Sequence, residues 1–440
     1  MKRIIYLLSL FFLLFYGVSY AGGVLVNSGA GMTLGSSSNR FSLQAAQNNP
    51  AMGSLLLSES KKLRLSYAPV LSANIEVGDL DNFSEDLDDL VDIIKDPGAT
   101  SDTPDKVLQR FNTVLLDMGD AGYAKNNISI NIPLFPMYYR YGSFGVFGLG
   151  AKIGSQTALR VLDDPLSYDS QNKSFATASA LYVKNGIETE LSLSYSRALF
   201  KRVTFNSPKN TVSVGGKIKL INLRLSKELI PVQQLENANV KKIIFDKYDN
   251  NLEASTGVGL DLGVVWDSEL FRIGLVLENI NSPEFEYGKV GSNCTRFEEN
   301  SQNRSSCESA AYFINNKGEI VGNETHTKVS MFRLDSLIKA SQYWSLSMVL
   351  DLSEYNDIVG FDNRWINVAA AYDGGGNFLP SVRTGYQKNL TGSKTSSVKF
   401  GLTFFKVVAL DLEYGLQSIE IDGRRAPRRL GFSLSLEESF

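Results

Sequence analysis

The stretch from Ser396 to Phe440 alternates so regularly that few environments fit it. Apolar residues fall at Val398, Phe400, Leu402, Phe404, Val408, Leu410, Leu412, Tyr414 and Leu416, then at Leu430, Phe432, Leu434 and Leu436, and the chain closes on Phe440. Between them stand Lys399, Gly401, Thr403, Asp411, Glu413, Gly415, Ser433 and Ser435. Successive side chains of a strand point to opposite faces, so each segment has one greasy face and one polar or glycine face. A half-buried sheet in a soluble sandwich shows the same alternation. An export leader, long glycine-laced strands in series and an aromatic carboxyl terminus favour instead an all-β, transmembrane antiparallel β-barrel in an outer membrane.

Lys2 and Arg3, the apolar run Ile4 to Phe15 and the small residues of Ser19-Tyr20-Ala21 read as a signal peptide over 1–21, cleaved before Gly22. The apolar run is too short for a helix that spans a bilayer, which needs about 20 residues. No later window reads as a transmembrane helix. The 440 residues carry a net charge of only −3 with scattered Lys and Arg, so no basic face argues for nucleic acid as a partner.

Cys294 and Cys307 lie 13 positions apart in one polar loop. In an oxidising compartment they are expected to form a disulfide that pins this loop. A metal site would need further ligands, and the single histidine, His326, is 19 positions beyond Cys307.

Residues 22–60 are small, polar and weakly periodic, which suits a plug or arm packed in or under the barrel; residues 61–440 form the barrel itself. A candidate first strand runs from 61 to 77. The period then changes to helical over 78–119, with one stripe through Leu80, Phe83, Leu87, Leu90 and Ile94 and another through Val107, Phe111, Leu115 and Met118. This insertion is expected to cap the barrel rim. Strand candidates follow at 127–141, 143–153, 174–184, 187–199, 211–221, 251–266, 270–280, 326–337, 342–352, 364–373, 380–388, 396–405, 407–417 and 428–440. They number about 14, with a long loop at 281–325 that holds both cysteines. Read back from the terminus, connections alternate long and short. Long loops face outward in bacterial barrels, so the last strand should descend into the periplasm. The alternation falters at 154–173, and adding 61–77 gives about 15 strands, so one amino-terminal assignment must be in error.

Asn49-Pro50-Ala51 ahead of the first strand, the helical insertion and the final Phe together resemble the superfamily of long-chain fatty-acid outer-membrane transporters. Ile187 to Phe200, Leu252 to Ile280, Trp344 to Glu354 and Val382 to Asn389 more closely resemble the conjugal transfer protein TraF family of the outer-membrane barrel type. The resemblance implies a 14-stranded barrel with an amino-terminal plug that contains Asn49, Pro50 and Ala51. It also implies either a structural or accessory part in a plasmid-type transfer system, with transfer-apparatus proteins as partners, or passive passage of an apolar ligand. Outer-membrane lipid and the barrel-assembly machinery would be partners in both cases. Phe432, Leu434, Leu436 and Phe440 match an assembly signal, whereas Glu438 departs from it.

No constellation supports enzyme chemistry, a cofactor or a metal. His326 and Ser330 would sit about 13 Å apart on one strand face, too far for a nucleophile and its base. The acidic run Asp79 to Asp92 lacks the glycine and ligand spacing of a calcium loop and suits a solvated helix face. Asp261, Arg272, Glu278, Asp351, Arg383, Lys399, Asp411 and Glu413 would face the lumen, where mixed charges pair to hold an occluded barrel together or line a polar route.

Overall fold

The computed structural model describes residues 29–35, 42–57, 60–67, 69–98, 100–204, 207–235, 251–374, 380–405, 407–421 and 423–436. The leader, Glu438 and Phe440 therefore lie outside the described residues. One antiparallel sheet joins sixteen strand segments, and two of these continue others across a break, which leaves fourteen strands.

Strand β1 has the arms Leu63–Leu65 and Leu71–Val77, and β2 the arms Tyr123–Asn131 and Met137–Tyr141. Then follow β3 Gly145–Leu162, β4 Ala180–Thr204, β5 Ser207–Pro231, β6 Glu253–Ser268 and β7 Phe271–Glu278. The circuit continues with β8 Met331–Lys339, β9 Trp344–Asp351, β10 Trp365–Tyr372 and β11 Ser381–Asn389. Strands β12 Ser396–Phe404, β13 Val408–Gly415 and β14 Arg429–Ser435 complete it. The ring closes where β1 pairs with β14, from Leu71↔Leu434 to Glu76↔Arg429. In hydrocarbon an unpaired sheet edge would leave its N–H and C=O groups unsatisfied, so closure is obligatory.

The breaks in β1 and β2 face each other and have one cause. Pro69, Pro133 and Pro136 carry no N–H and cannot serve a ladder from both sides. The gap is bridged by Ser66 N to Pro136 O (3.1 Å), Leu134 N to Ser66 O (2.8 Å) and Asn131 N to Val70 O (3.0 Å).

Two sequence assignments need correction. The segments 180–184 and 187–199 belong to one strand, the 25-residue β4, while Ser174–Ala176 pairs separately with Ser167–Asp169, and the expected connection 154–173 begins inside β3. Merging them lowers fifteen to fourteen. With these bounds the connections on one side are 78–122, 163–179, 232–252, 279–330, 352–364, 390–395 and 416–428, and those on the other are mostly two to four residues. The single inversion is 373–380, which is longer than 390–395.

Strands β4 and β5 have 25 residues each, roughly 80 Å at about 3.3 Å per residue, where about 9–11 tilted residues cross a membrane. Part of their excess, together with the end of β3, rises on the long-connection side as a wall covered on both faces. Helices Gly31–Leu34 (α1), Leu43–Asn48 (α2) and Gly53–Leu56 (α3) precede β1, and Phe83–Lys95 (α4) and Pro104–Ala121 (α5) follow it. Met118 of α5 packs on Val161, Leu181, Val183 and Ile230, on the outward side of the wall. On the inward side Leu162, Ala180, Tyr182 and Leu229 are buried by Val290, Ala310, Phe313 and Ile320 of the 279–330 connection, whose helix is Gln302–Tyr312 (α6).

Below the wall the outward face is a belt of exposed apolar residues, among them Leu191, Leu193, Ile218, Leu220, Val258, Leu260, Leu262, Leu410, Leu412, Leu434 and Leu436. Trp266 on Phe271 (4.8 Å between ring centroids) and Trp344 on Tyr372 (5.1 Å) mark its lower edge at the short turns. Such an apolar band with aromatic girdles is the surface of a barrel solvated by lipid. Leu262→Arg, near the middle of the belt, should cost about 2–4 kcal/mol of folding free energy in bilayers. A urea titration read by heat-modifiable gel mobility measures this, and a variant as stable as the parent would rule out lipid at that face.

Candidate functional site: an occluded lumen

The polar inner wall of a closed barrel must be matched by whatever fills it. Residues 29–35 and 42–57 lie inside, and their contacts begin around α1. Gly29 N donates to Ser433 Oγ (2.7 Å), Ser347 Oγ to Leu34 O (2.9 Å), Asn367 Nδ2 to Thr33 O (3.0 Å) and Lys399 Nζ to Met32 O (2.7 Å). Thr33 Oγ1 donates to Asp411, which also holds Arg383 Nη2 at 2.7 Å; both members of that ion pair are fully buried.

Asn49, Pro50 and Ala51 form the sharpest turn of the segment. The Asn49 side chain caps the 3-10 turn Pro50–Met52 by accepting from Ala51 N (3.1 Å), and Nδ2 faces Leu275 O at 3.5 Å. Pro50 suits the first position of such a turn, where no donor is needed. The wall admits it only because three inward positions are glycine. A Cβ on Gly215 would lie 2.5 Å from the Pro50 carbonyl carbon, one on Gly274 3.1 Å from Asn49 Nδ2, and one on Gly263 would overlap Asn49 Oδ1. Beyond the turn, Ser54 Oγ meets Ser213 Oγ at 2.8 Å, and Arg140 Nη2 caps α3 through Ser54 O (2.9 Å) and Leu57 O (2.6 Å).

The wall charges pair around this segment. Asp261 takes Lys217 (2.9 Å) and Lys219 (2.6 Å), Arg333 takes Glu278 (2.9 Å) and Asp351 (2.8 Å), and Arg429 takes Glu413 (2.6 Å) and Glu76 (2.5 Å). Buried charges are tolerable only in such pairs, and removing one partner leaves the other stranded.

A second closure comes from the long-connection side. Connection 352–364 folds down into the lumen, where Asp357 accepts from Gln156 Nε2 (3.0 Å) and Lys125 Nζ (3.3 Å). Ile358 and Val359 pack with Ile221, Leu223, Leu225, Phe285 and Tyr287. Above it the 279–330 connection is held by Glu324 to Lys184 and Lys227 and by Lys328 to Glu188 (2.5 Å). A cavity of about 70 Å³ remains between the two closures, and a second of about 70 Å³ lies between the Asp357 connection and the 279–330 connection. One is lined by Lys125, Arg333, Asp357, Lys399 and Arg429, the other by Lys152, Glu188 and His326.

Cys294 and Cys307 are bonded to each other, tying the Cys294–Arg296 turn to α6. His326 is buried in the short two-stranded ladder that pairs it with Phe285. Phe432, Leu434 and Leu436 face lipid from β14 and its end. The acidic residues of α4 are largely solvated, with Asp89 paired to Arg110 of α5 at 2.7 Å. Among the described residues no group of three or more His, Cys, Asp or Glu is placed to hold a metal. Sequence reasoning did not single out Asp357, Arg140 or the glycines at 215, 263 and 274. The glycines carried a visible signal, since all three occupy inward positions of strands whose outward neighbours are apolar.

The class defined by fold and site is thus a transmembrane β-barrel with an internally occupied lumen. Residues 46–351 match the family described as F plasmid transfer operon, TraF, protein, and the chain belongs to that family. No curated protein sequence matches it. Solved structures similar to it include the deltaS2S3 mutant of the monoaromatic hydrocarbon channel TodX (11% identity, TM-score 0.47, 96% of this chain and 99% of that one). Others are the Pseudomonas putida toluene transporter TodX (11%, 0.45, 96% and 99%) and a Pseudomonas aeruginosa FadL homologue (13%, 0.38, 96% and 99%).

Two outcomes follow from the geometry. Gly263→Val should displace the Asn49 turn at a cost of about 1–3 kcal/mol of docking, typical of overpacking. Maleimide labelling of Cys introduced at Ser54 should rise, whereas Gly216→Val, whose Cβ has 3.6 Å of clearance, should leave it unchanged. The second concerns pH. Burial, reinforced by Lys328 and Lys184, pushes the His326 imidazole down to about 3, against a favourable but smaller effect of Glu324. Below about 6.5 the unfolded hairpin binds a proton that the folded one refuses, so its stability should fall as pH drops from about 6.5 toward 3. Protease protection of the 279–330 connection reads this, and His326→Gln should flatten the upper part of the profile.

Proposed function

We propose that this protein is exported under a leader, 1–21, that is then cleaved, is inserted in the outer membrane by the barrel-assembly machinery through its terminal Phe440 signal, and serves as a non-enzymatic structural or accessory component of a plasmid-type transfer apparatus. Residues 22–60 act as its plug and 61–440 as its barrel. The observation that carries this reading is the double occlusion of the lumen by the Asn49-Pro50-Ala51 segment and the inserted Asp357 connection. A barrel stoppered from both ends, with most of its inner charges paired and Lys399 held by Met32 O and Gln387, is suited to present its loops and not to conduct.

The second reading is gated passage of an apolar small molecule. It is favoured by one feature: Leu43, Ala45, Met52 and Leu56 of the plug gather with Tyr138, Val146 and Val265 into an apolar cluster inside the barrel. An apolar solute could follow that cluster if the plug moved.

Liposome swelling and apolar-ligand uptake separate the two. Full-length protein and a form lacking residues 22–60 should both show negligible uptake, because Asp357 and its neighbours still close the other mouth. Ligand uptake by the full-length protein would overturn the structural role. Deleting the gene from a plasmid-transferring strain should lower transfer, and complementation should restore it.

A further inference from the structure

Charge is scarce on the lipid-facing side of the sheet. On β10 the outward residues run Tyr372, Ala370, Val368, Ile366 and then Arg364 just past its end; on β11 and its continuation they are Val382, Thr384, Tyr386, Lys388 and Leu390. Their alternate neighbours Asn367, Arg383, Gln387 and Asn389 are buried inward, which fixes the outward direction of Lys388. Ile366 pairs with Lys388, and Leu390 N donates to Arg364 O at 2.7 Å. Arg364 and Lys388 are therefore diagonal neighbours on one face, with Cα atoms about 7–8 Å apart or less. Lys394, exposed in the connection 390–395, adds a third cation at the same rim.

None of the three is ion-paired to a carboxylate among the described residues. Arg364 spends its Nε on Asp351 O (3.3 Å), and the nearby Asp362 is engaged by Asn356 Nδ2 (2.8 Å); Glu354 of the same connection is exposed. Cations are costly against hydrocarbon but not at the interface. Here they stand at the long-connection end of their strands, just above the exposed Tyr386, with the exposed Tyr414 at the same end of β13, two strands from β11. Elsewhere on the outward face of the span, Arg197 and Arg224 stand singly on β4 and β5.

We propose that Arg364, Lys388 and Lys394 form a docking surface on the barrel exterior for the phosphate groups of a phosphorylated glycolipid in the outer leaflet. Two cations on neighbouring strands and a third above them match a headgroup that carries more than one phosphate, and arginine can engage an oxygen pair through its fork. The inference rests on the barrel spanning the outer membrane with its long connections outward.

The test uses folded full-length protein in detergent and the probes lipid A, phosphatidylethanolamine and inorganic phosphate, with bound lipid counted by native mass spectrometry. Each basic side chain near an anionic surface is worth roughly fivefold in partition, so Lys388→Ala with Lys394→Ala should weaken lipid A retention about 30-fold. Phosphatidylethanolamine retention should not change, and Arg197→Ala should behave as the parent. Arg364→Gln offers a third, independent loss of charge, and heat-modifiable mobility confirms that each variant is folded. Equal lipid A retention in parent and double variant, or an equal loss with Arg197→Ala, overturns the proposal; so does inorganic phosphate displacing lipid A at equimolar concentration. Fractionation of the parent away from outer membranes would overturn the membrane reading instead, and the detergent measurement would still decide the surface.

Discussion

Closure of the hydrogen-bond ladder between β1 and β14 is the constraint from which the rest of this molecule follows. Lipid offers no partner for a backbone amide, so the sheet must return on itself, and once it has done so each strand owns an inside and an outside. The outside can then be largely apolar, with its few charges at the rims. The inside is compelled to hold the charges that the outside excludes, and those charges must find one another: Asp261 with two lysines, Arg333 and Arg429 with two carboxylates each.

A lumen of this kind favours polar filling. The amino-terminal segment inside it answers largely with backbone groups, offering carbonyl oxygens to Ser347, Asn367, Lys399, Lys217 and Arg140. Its close approach to the wall depends on missing side chains, and Gly215, Gly263 and Gly274 supply a floor on which Asn49 and Pro50 can rest. The same logic explains why Asp357 enters from the other end, since Lys125 and Gln156 would otherwise face an empty mouth.

The closing strands were legible in the sequence because Leu410, Leu412 and Tyr414 meet lipid while Asp411 and Glu413 meet the lumen, so solvent contrast is printed residue by residue. Strand β4 was not, and its physical reason is plain. Leu181, Tyr182, Val183 and Lys184 are all buried, some under α5 and some under the 279–330 connection, so the alternation vanishes where both faces are covered. The gap expected at 185–186 is instead continuous strand, and the side chain of Ile358 packs against Gly186. The site was half legible. Inward glycines and charges stood out by position, but which of them meet depends on the curvature of the whole ring, and the descent of Asp357 into the lumen has no local signature beyond a polar loop.

The Asp357 connection has a mechanical side as well. It leaves the ring between β9 and β10 yet is fastened to Lys125 and Gln156 on β2 and β3, across the barrel's bore. A hollow cylinder squeezed by the lateral pressure of a bilayer yields first by becoming oval. A strut anchored at opposite points of the circumference resists that deformation, so this loop acts as a tie-rod that keeps the cross-section round whether or not anything ever passes through it.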